Sequence, residues 1–263
     1  MTPITSALTI AGSDSSGGAG IQADLKTFAA YGVYGVSAVT AVTAQNTQGV
    51  AESSPLAADL VAAQIEAVAA DVAVQAVKTG MLATAAIVEA VAAAIRALEL
   101  PLVVVDPVMV SKNGRPLLDE DGVAMLKTEL LGLAAVVTPN IPEAERLTGR
   151  RIDSLEQARA AAVEIQQLGA SAVVVTGGHA PGDVIVDVLF DGAAFTELEA
   201  ARIGAEPAHG TGCTFASAVA ANLALGRPLV DAVVDAQAYV RGAIEHALEI
   251  GRGRRVLDHF WRR

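Results

Sequence analysis

The run His209-Gly210-Thr211-Gly212-Cys213-Thr214 contains two glycines and the only cysteine of the chain. It leads into an apolar segment, Phe215 to Leu225, with the pattern of a buried helix. Glycines just before a helix start leave backbone N–H groups uncovered at its positive end, a ready anion site. A thiol at that mouth is expected to have its pKa drawn down toward the thiolate. The chemical reading is a phosphate site; the plainer one is a glycine-loosened cap around an inert cysteine. A second cluster points the same way. Asn140-Ile141-Pro142-Glu143 sets an amide and a carboxylate three residues apart, and Asp106 adds another carboxylate. These are hard oxygen donors of the kind Mg²⁺ and its waters accept, although Asn-x-x-Glu is also a plain helix-start pattern.

Such groups act only where secondary structure gathers them. Short apolar runs at Leu8 to Ala11, Val36 to Val42, Val74 to Val77, Leu102 to Val105, Ala135 to Val137 and Val173 to Val175 predict strands. Between them lie helical patterns. One runs from Ile21 to Tyr31, and one opens at Ser54-Pro55 with Ser as N-cap and Pro at the first helical position. Others are the stripe Ile87, Val91 and Ile95, a helix capped by Asp119, and one opened by a capping box of Ser154 and Gln157. A last helix is expected from about Leu229 to Leu248. Val184 to Leu189 and Ala194 to Leu198, joined through Asp191-Gly192, read as a hairpin. The alternation predicts an α/β chain, one domain over residues 1–263, with a doubly wound, mostly parallel sheet and helices on both faces. In that architecture ligands bind beyond the carboxyl ends of the strands. Six successive strand ends carry the unusual polar residues: Gly12 and Asp14; Gln45 and Asn46; Lys78 to Met81; Asp106 and the Ser111-Lys112-Asn113-Gly114 loop; Asn140 and Glu143; and Thr176 to Gly178.

Of two familiar phosphate motifs, one is rejected and the other disfavoured. Gly12 to Gly17 has a P-loop outline but lacks the Lys-Ser/Thr pair. Gly18-Ala19-Gly20-Ile21-Gln22-Ala23 fits G-x-G-x-x-A, but the second strand ends in Thr43-Ala44-Gln45-Asn46, without the acid that would hold a ribose. Asp24, one turn into the first helix, is either a dipole-complementing carboxylate or an acceptor for a small polar substrate. Gln45 offers both a donor and an acceptor, which suits a heterocyclic ring. The net charge of −11 disfavours a nucleic-acid or anionic-membrane surface. A lone cysteine, no apparent signal peptide and no membrane span lead us to expect a reducing, cytoplasmic setting.

Taken together, Ala7-Leu8-Thr9-Ile10-Ala11-Gly12-Ser13-Asp14 with Ser16 to Lys26, Thr43 to Thr47, Lys78-x-Gly80-Met81-Leu82, Asp106-Pro107-Val108-Met109, Thr138 to Ala144, Gly177-Gly178-His179 and His209 to Cys213 resemble hydroxymethylpyrimidine and phosphomethylpyrimidine kinases. The tail Val256-x-Asp258-His259-Phe260 extends the resemblance to nearly the whole chain. The resemblance implies a ribokinase-like fold, ATP and Mg²⁺ as cofactors, a homodimer, and a small pyrimidine as substrate. It implies Cys213 as the group that prepares the substrate hydroxyl, and Gly210, Thr211 and Gly212 as an anion hole. Asp106, Asn140 and Glu143 would lie at the metal, and Gly12, Asp24, Gln45, Met81 and Val108 around the pyrimidine. Lys112, Thr176 and Gly178 would approach the nucleotide. One departure is Thr176, where family members often carry Lys; a hydroxyl can bond a phosphate without neutralising it. The rivals are a pyridoxal or pyridoxine kinase on the same scaffold and a pyrimidine-binding regulator without catalysis.

Overall fold

The computed structural model of the chain describes residues 4–111, 114–179, 182–204 and 208–263. In chain order its elements are β1 (Ser6–Asp14), α1 (Gly20–Ala30), β2 (Tyr34–Asn46), β3 (Gly49–Pro55), α2 (Ala58–Ala69), β4 (Ala76–Thr79), α3 (Ala85–Ala97) and β5 (Val103–Val105). There follow α4 (Glu120–Met125), β6 (Val136–Val137), α5 (Ile141–Thr148), α6 (Leu155–Gln166), β7 (Val173–Val175), β8 (Val184–Phe190), β9 (Phe195–Ala201), α7 (Thr211–Ala224) and α8 (Leu229–Glu245). The strands form one sheet in the order β3-β2-β1-β4-β5-β6-β7-β8-β9. From β2 to β7 every neighbour is parallel. The edges β3 and β8-β9 are antiparallel, the latter being the expected hairpin.

The central strands are nearly unbroken apolar runs because both of their faces are covered. Side chains alternate between the two faces, as a strand requires. Val103 and Val105 pack with α2, α3, α4, α5 and α6, whereas Val104 packs with α1, α7 and α8. Helix α7 is buried continuously from Thr214 to Leu223. A helix apolar on all sides must lie inside the protein, and α7 lies between the sheet, α1 and α8. Small residues on both surfaces, Ala7, Ala76 and Ala172 below and Ala216 and Ala220 on the helix, belong to this layer. The chain leaves β1 in opposite directions, to β2 on one side and to β4 on the other. That switch opens a crevice at the carboxyl ends of β1 and β4, and the mouth of α7 faces it.

Three local expectations change. Ser54-Pro55 does not start a helix: it ends β3, paired with the outer half of β2, which runs on to Asn46. Proline is tolerated there because the strand is at a sheet edge, and α2 begins at Ala58 behind Ala57. The strand expected at Val74 to Val77 lies two residues later, so Lys78 and Thr79 are inside β4. Ser154 caps α6, but the Gln157 side chain accepts from the N–H of Asp153 and not of Ser154. The reciprocal capping box is at Asn140 and Glu143 instead.

Candidate active site

Gly210 has φ +89°, and a Cβ there would lie 1.8 Å from the carbonyl oxygen of Gly18. Gly20 has φ +57°, and a Cβ there would lie 2.3 Å from the carbonyl oxygen of Gly12. Only glycine meets both conditions at either position. The two glycines bring the N-terminal ends of α7 and α1 together. The first intrahelical bond of α7 runs from Thr214 N–H to Gly210 O at 2.9 Å, so the N–H groups of Thr211, Gly212 and Cys213 precede it. The thiol of Cys213 lies against the Gly20 N–H and the Asp106 carboxyl. The expected drift toward thiolate does not occur. Burial pushes the thiol up to about 12; Lys78 opposes that shift, while Asp106 and Asp24 add to it. Desolvation outweighs the helix mouth.

Beneath the thiol is a fully buried ion pair. Lys78 Nζ is 3.0 Å from both oxygens of Asp24. Asp24 also accepts from Thr9 Oγ1 at 2.6 Å and Ser217 Oγ at 2.7 Å. It therefore does not line a ligand pocket, contrary to expectation: every acceptor site faces protein, and it ties α1 to β1, β4 and α7. Burial acts to neutralise Lys78, but the charge and hydrogen bond of Asp24, together with Cys213 and Asp106, more than offset it and raise the ammonium pKa. Asp106 lies 3.9 Å from the same ammonium. Its Oδ2 is buried without a hydrogen-bond partner among the described residues. Burial holds its pKa above the ordinary carboxylate range against the pull of Lys78. Glu143, 8 % exposed, is raised first by burial and then by the charge of Asp106. Asn140 Oδ1 accepts from Glu143 N–H, and Glu143 Oε2 accepts from Asn140 N–H, each at 3.0 Å. The helix-start reading of this motif is thus realised, and both residues also face the crevice.

The crevice is a cavity of about 600 Å³. Gly12, Gln45, Met81 and Val108 line it, as do Asp106, Asn140, Glu143, Thr176 and Gly178, and Gly210, Thr211, Gly212 and Cys213. Lys112 falls outside the described residues. Thr176 is joined to Asn140 by a single β-bridge, which places its hydroxyl-bearing residue beside the α5 cap. Sequence reasoning missed a further set of lining residues, Arg146, Asp187, Gln237 and Arg241. Asp187, 6 % exposed, accepts from Gly177 N–H at 2.8 Å and from Gln237 Nε2 at 2.9 Å, pinning the glycine turn after β7. A lone acid inside the apolar run Val184 to Leu189 was the available signal. At the opposite end, Asp14 accepts from Ser16, Gly18, Ala19 and His209. Burial would raise its pKa, but bonds from His209 and Ser16 outweigh this and lower it.

Among the described residues no three His, Cys, Asp or Glu side chains form a metal cage, and no helix is long and apolar enough to cross a membrane. The profile of the Phosphomethylpyrimidine kinase family matches residues 14–258. A hydroxymethylpyrimidine/phosphomethylpyrimidine kinase of Rhizobium meliloti is 52% identical over 97% of this chain and 97% of its own length. A thiamine biosynthesis bifunctional protein of Geobacter sulfurreducens is 51% identical over 98% of this chain, which spans about half (52%) of that longer protein. Among solved structures, a pyridoxal kinase of Staphylococcus aureus in complex with AMP-PCP and pyridoxal has a TM-score of 0.91 and 35% identity, over 99% of this chain and 95% of that one.

Proposed function

Because the chain belongs to the phosphomethylpyrimidine kinase family, we propose that its cavity seats a hydroxymethylpyrimidine against Gly12, Gln45, Met81 and Val108, with its hydroxyl at Cys213. The activity is ATP-dependent phosphorylation of hydroxymethylpyrimidine and its monophosphate, in thiamine biosynthesis. The observation that supports this arrangement best is the meeting of the α1 and α7 mouths at one thiol, beside two buried acids. Phosphoryl transfer needs positioning and charge stabilisation more than covalent chemistry. The N–H groups of Thr211, Gly212 and Cys213 are preorganised donors for the migrating phosphoryl oxygens. The resting thiol is protonated, so Cys213 orients the hydroxyl; as the new O–P bond forms and the bond from the γ-phosphorus to the ADP oxygen breaks, the hydroxyl proton passes to the Asp106 carboxylate. Thr176 and Gly178 receive the nucleotide phosphates, with Thr176 as a hydrogen-bond donor only.

The residues present fit a divalent cation of the Mg²⁺ type. Asp106 Oδ2 is a buried oxygen without a hydrogen-bond partner among the described residues, and Glu143 faces the same charge. With no third acid among the described residues to close a cage, the site suits an ion that keeps waters and phosphate oxygens as ligands. Asp106, Glu143 and Asn140 would hold it, and it would neutralise charge on the transferring phosphoryl group. A pH test follows. Both acids hold their protons above the ordinary carboxylate range in the folded chain. The stability this gives is present in acid and is lost as pH rises through the raised pKa values. Mg²⁺ competes with those protons, so it should raise Tm by roughly 2–4 °C more at pH 8 than at pH 5. Glu143→Gln should remove most of that difference; an equal Mg²⁺ shift at both pH values would place the ion elsewhere.

ADP release measured with the pyrimidine alcohol and its monophosphate as separate acceptors tests the function. Each should support turnover; no pyrimidine-dependent ADP release would refute the reading. Similarity to a pyridoxal-bound kinase favours a second acceptor, pyridoxal, and competition between the two by kcat/KM ranks them. A homodimer and a cytoplasmic location belong to the same proposal; sedimentation at twice the chain mass would support the former.

A further inference from the structure

Gln45 Nε2 stands 2.8 Å from His209 Nε2, and the same ring nitrogen is 3.0 Å from Asp14 Oδ2. One nitrogen cannot serve both neighbours in that arrangement. Asp14 takes backbone N–H groups from Ser16, Gly18 and Ala19 and a hydroxyl from Ser16, at 2.7–3.1 Å. A carboxylate so surrounded stays ionised and needs a donor from the ring, so His209 Nε2 carries hydrogen. Its other neighbour must then be an acceptor, and an amide NH₂ is not one. Thr43 gives the same answer independently. Its single hydroxyl hydrogen goes to Ser13 O at 2.9 Å. None is left for the Gln45 oxygen at 3.3 Å. Exchanging amide oxygen and nitrogen removes both conflicts: the oxygen shares the single Nε2 hydrogen with Asp14 in a three-centre bond, and the NH₂ donates to Thr43. Amide orientation is settled by its network in this way.

We infer that the Asp14–His209 pair is a positioning device that fixes which way the Gln45 amide presents itself to the ring in the cavity. This rests on the pyrimidine reading above. In the fixed orientation the amide keeps one oxygen lone pair and one hydrogen uncommitted. Gln45 and His209 both line the cavity, so these form an adjacent acceptor and donor for a ligand. Such a pair matches an exocyclic amino group beside a ring nitrogen, and the reversed amide would oppose like to like. His209 is itself held in place. Its backbone N–H donates to Arg255 O at 2.9 Å, and its ring closes on Gly18, where a Cβ would come within 2.6 Å of Cδ2. The pair therefore sets specificity without requiring contact with the reacting atoms.

The test is a double-mutant cycle on the full chain. His209→Phe keeps the ring and removes the donor; Gln45→Leu removes the amide. Calorimetric Kd for the pyrimidine alcohol, KM for both substrates and kcat are measured for each variant and for the double. His209→Phe should weaken pyrimidine binding roughly tenfold, with KM for ATP and kcat within about twofold. The double variant should bind no more weakly than Gln45→Leu alone, because the histidine acts through the glutamine. Asp14→Asn, which frees the ring nitrogen to accept, should weaken binding similarly and guards against a misfolded phenylalanine variant. Multiplying effects, or unchanged binding in both His209→Phe and Asp14→Asn, would overturn the inference. Turnover by the unaltered chain reports on the proposed function alone, and coupling in Kd reports on the amide orientation, so the two failures are separable.

Discussion

Cys213→Ala should lower kcat by about 10²–10⁴-fold and leave KM for ATP nearly unchanged, the range expected when a side chain that sets up proton transfer is removed. The side chain stands at the mouth of α7 and lines the cavity, with the Gly20 N–H and the Asp106 carboxyl against its sulfur. Nothing in that position reaches the apolar layers, so the loss should appear in turnover rather than in folding. Cys213→Ser separates two roles. Burial holds the thiol protonated, up to about 12, so a group that orients the hydroxyl can be replaced in part by another hydroxyl. Serine should recover at least tenfold over alanine. If serine and alanine are equally inactive, a preformed thiolate is required and the orienting role is wrong. If alanine keeps kcat within about threefold of the unaltered chain, Cys213 is not in the reaction.

Lys78→Met should be the most destabilising single change in the site. It leaves the Asp24 carboxylate buried without a counter-ion, and breaking such a pair costs about 3–5 kcal/mol. For a chain of this size that is a fall in Tm of about 10 °C. Restoring neutrality with Lys78→Met/Asp24→Asn should recover much of the loss, because the amide oxygen still accepts from a neighbouring hydroxyl. An Asp24→Leu partner would recover less, since Thr9 and Ser217 both donate to that residue and would be stranded. Turnover should not recover with stability. The ammonium is 3.9 Å from Asp106 and holds down the pKa values of both Asp106 and Cys213. A refolded double variant with normal kcat would make the pair purely structural.

Much of the layout was legible because it is local. Apolar runs of strand length separated by helical stripes give the parallel sheet, and polar residues just after those runs give its active edge. What escaped depends on distance in sequence. Asp24 and Lys78 lie 54 residues apart, and the dipole pattern of a carboxylate in the first turns of a helix does not say that an ammonium waits behind it. Ser54-Pro55 has good helix-start chemistry, yet pairing with β2 takes those residues first. The helix-mouth argument for Cys213 predicts a lowered pKa, and the thiol is raised instead, because desolvation, which only the packed structure supplies, dominates. Asn140 and Glu143 show that two readings of one motif can coexist: the pair caps α5 and also presents acid to the cavity.

The Asp14–His209 contact joins residues 195 apart, one on the first strand and one before α7. Contacts of such separation form only after much loop entropy has been lost, late in assembly. A substrate that needs both ends of the contact can bind only chains that have completed the sheet. Ligand occupancy thereby becomes a count of fully folded molecules, and saturating pyrimidine at a hundredfold over Kd would favour that state by about 2.7 kcal/mol. A cell supplied with the substrate would hold more of this protein intact than one starved of it, with no change in its synthesis.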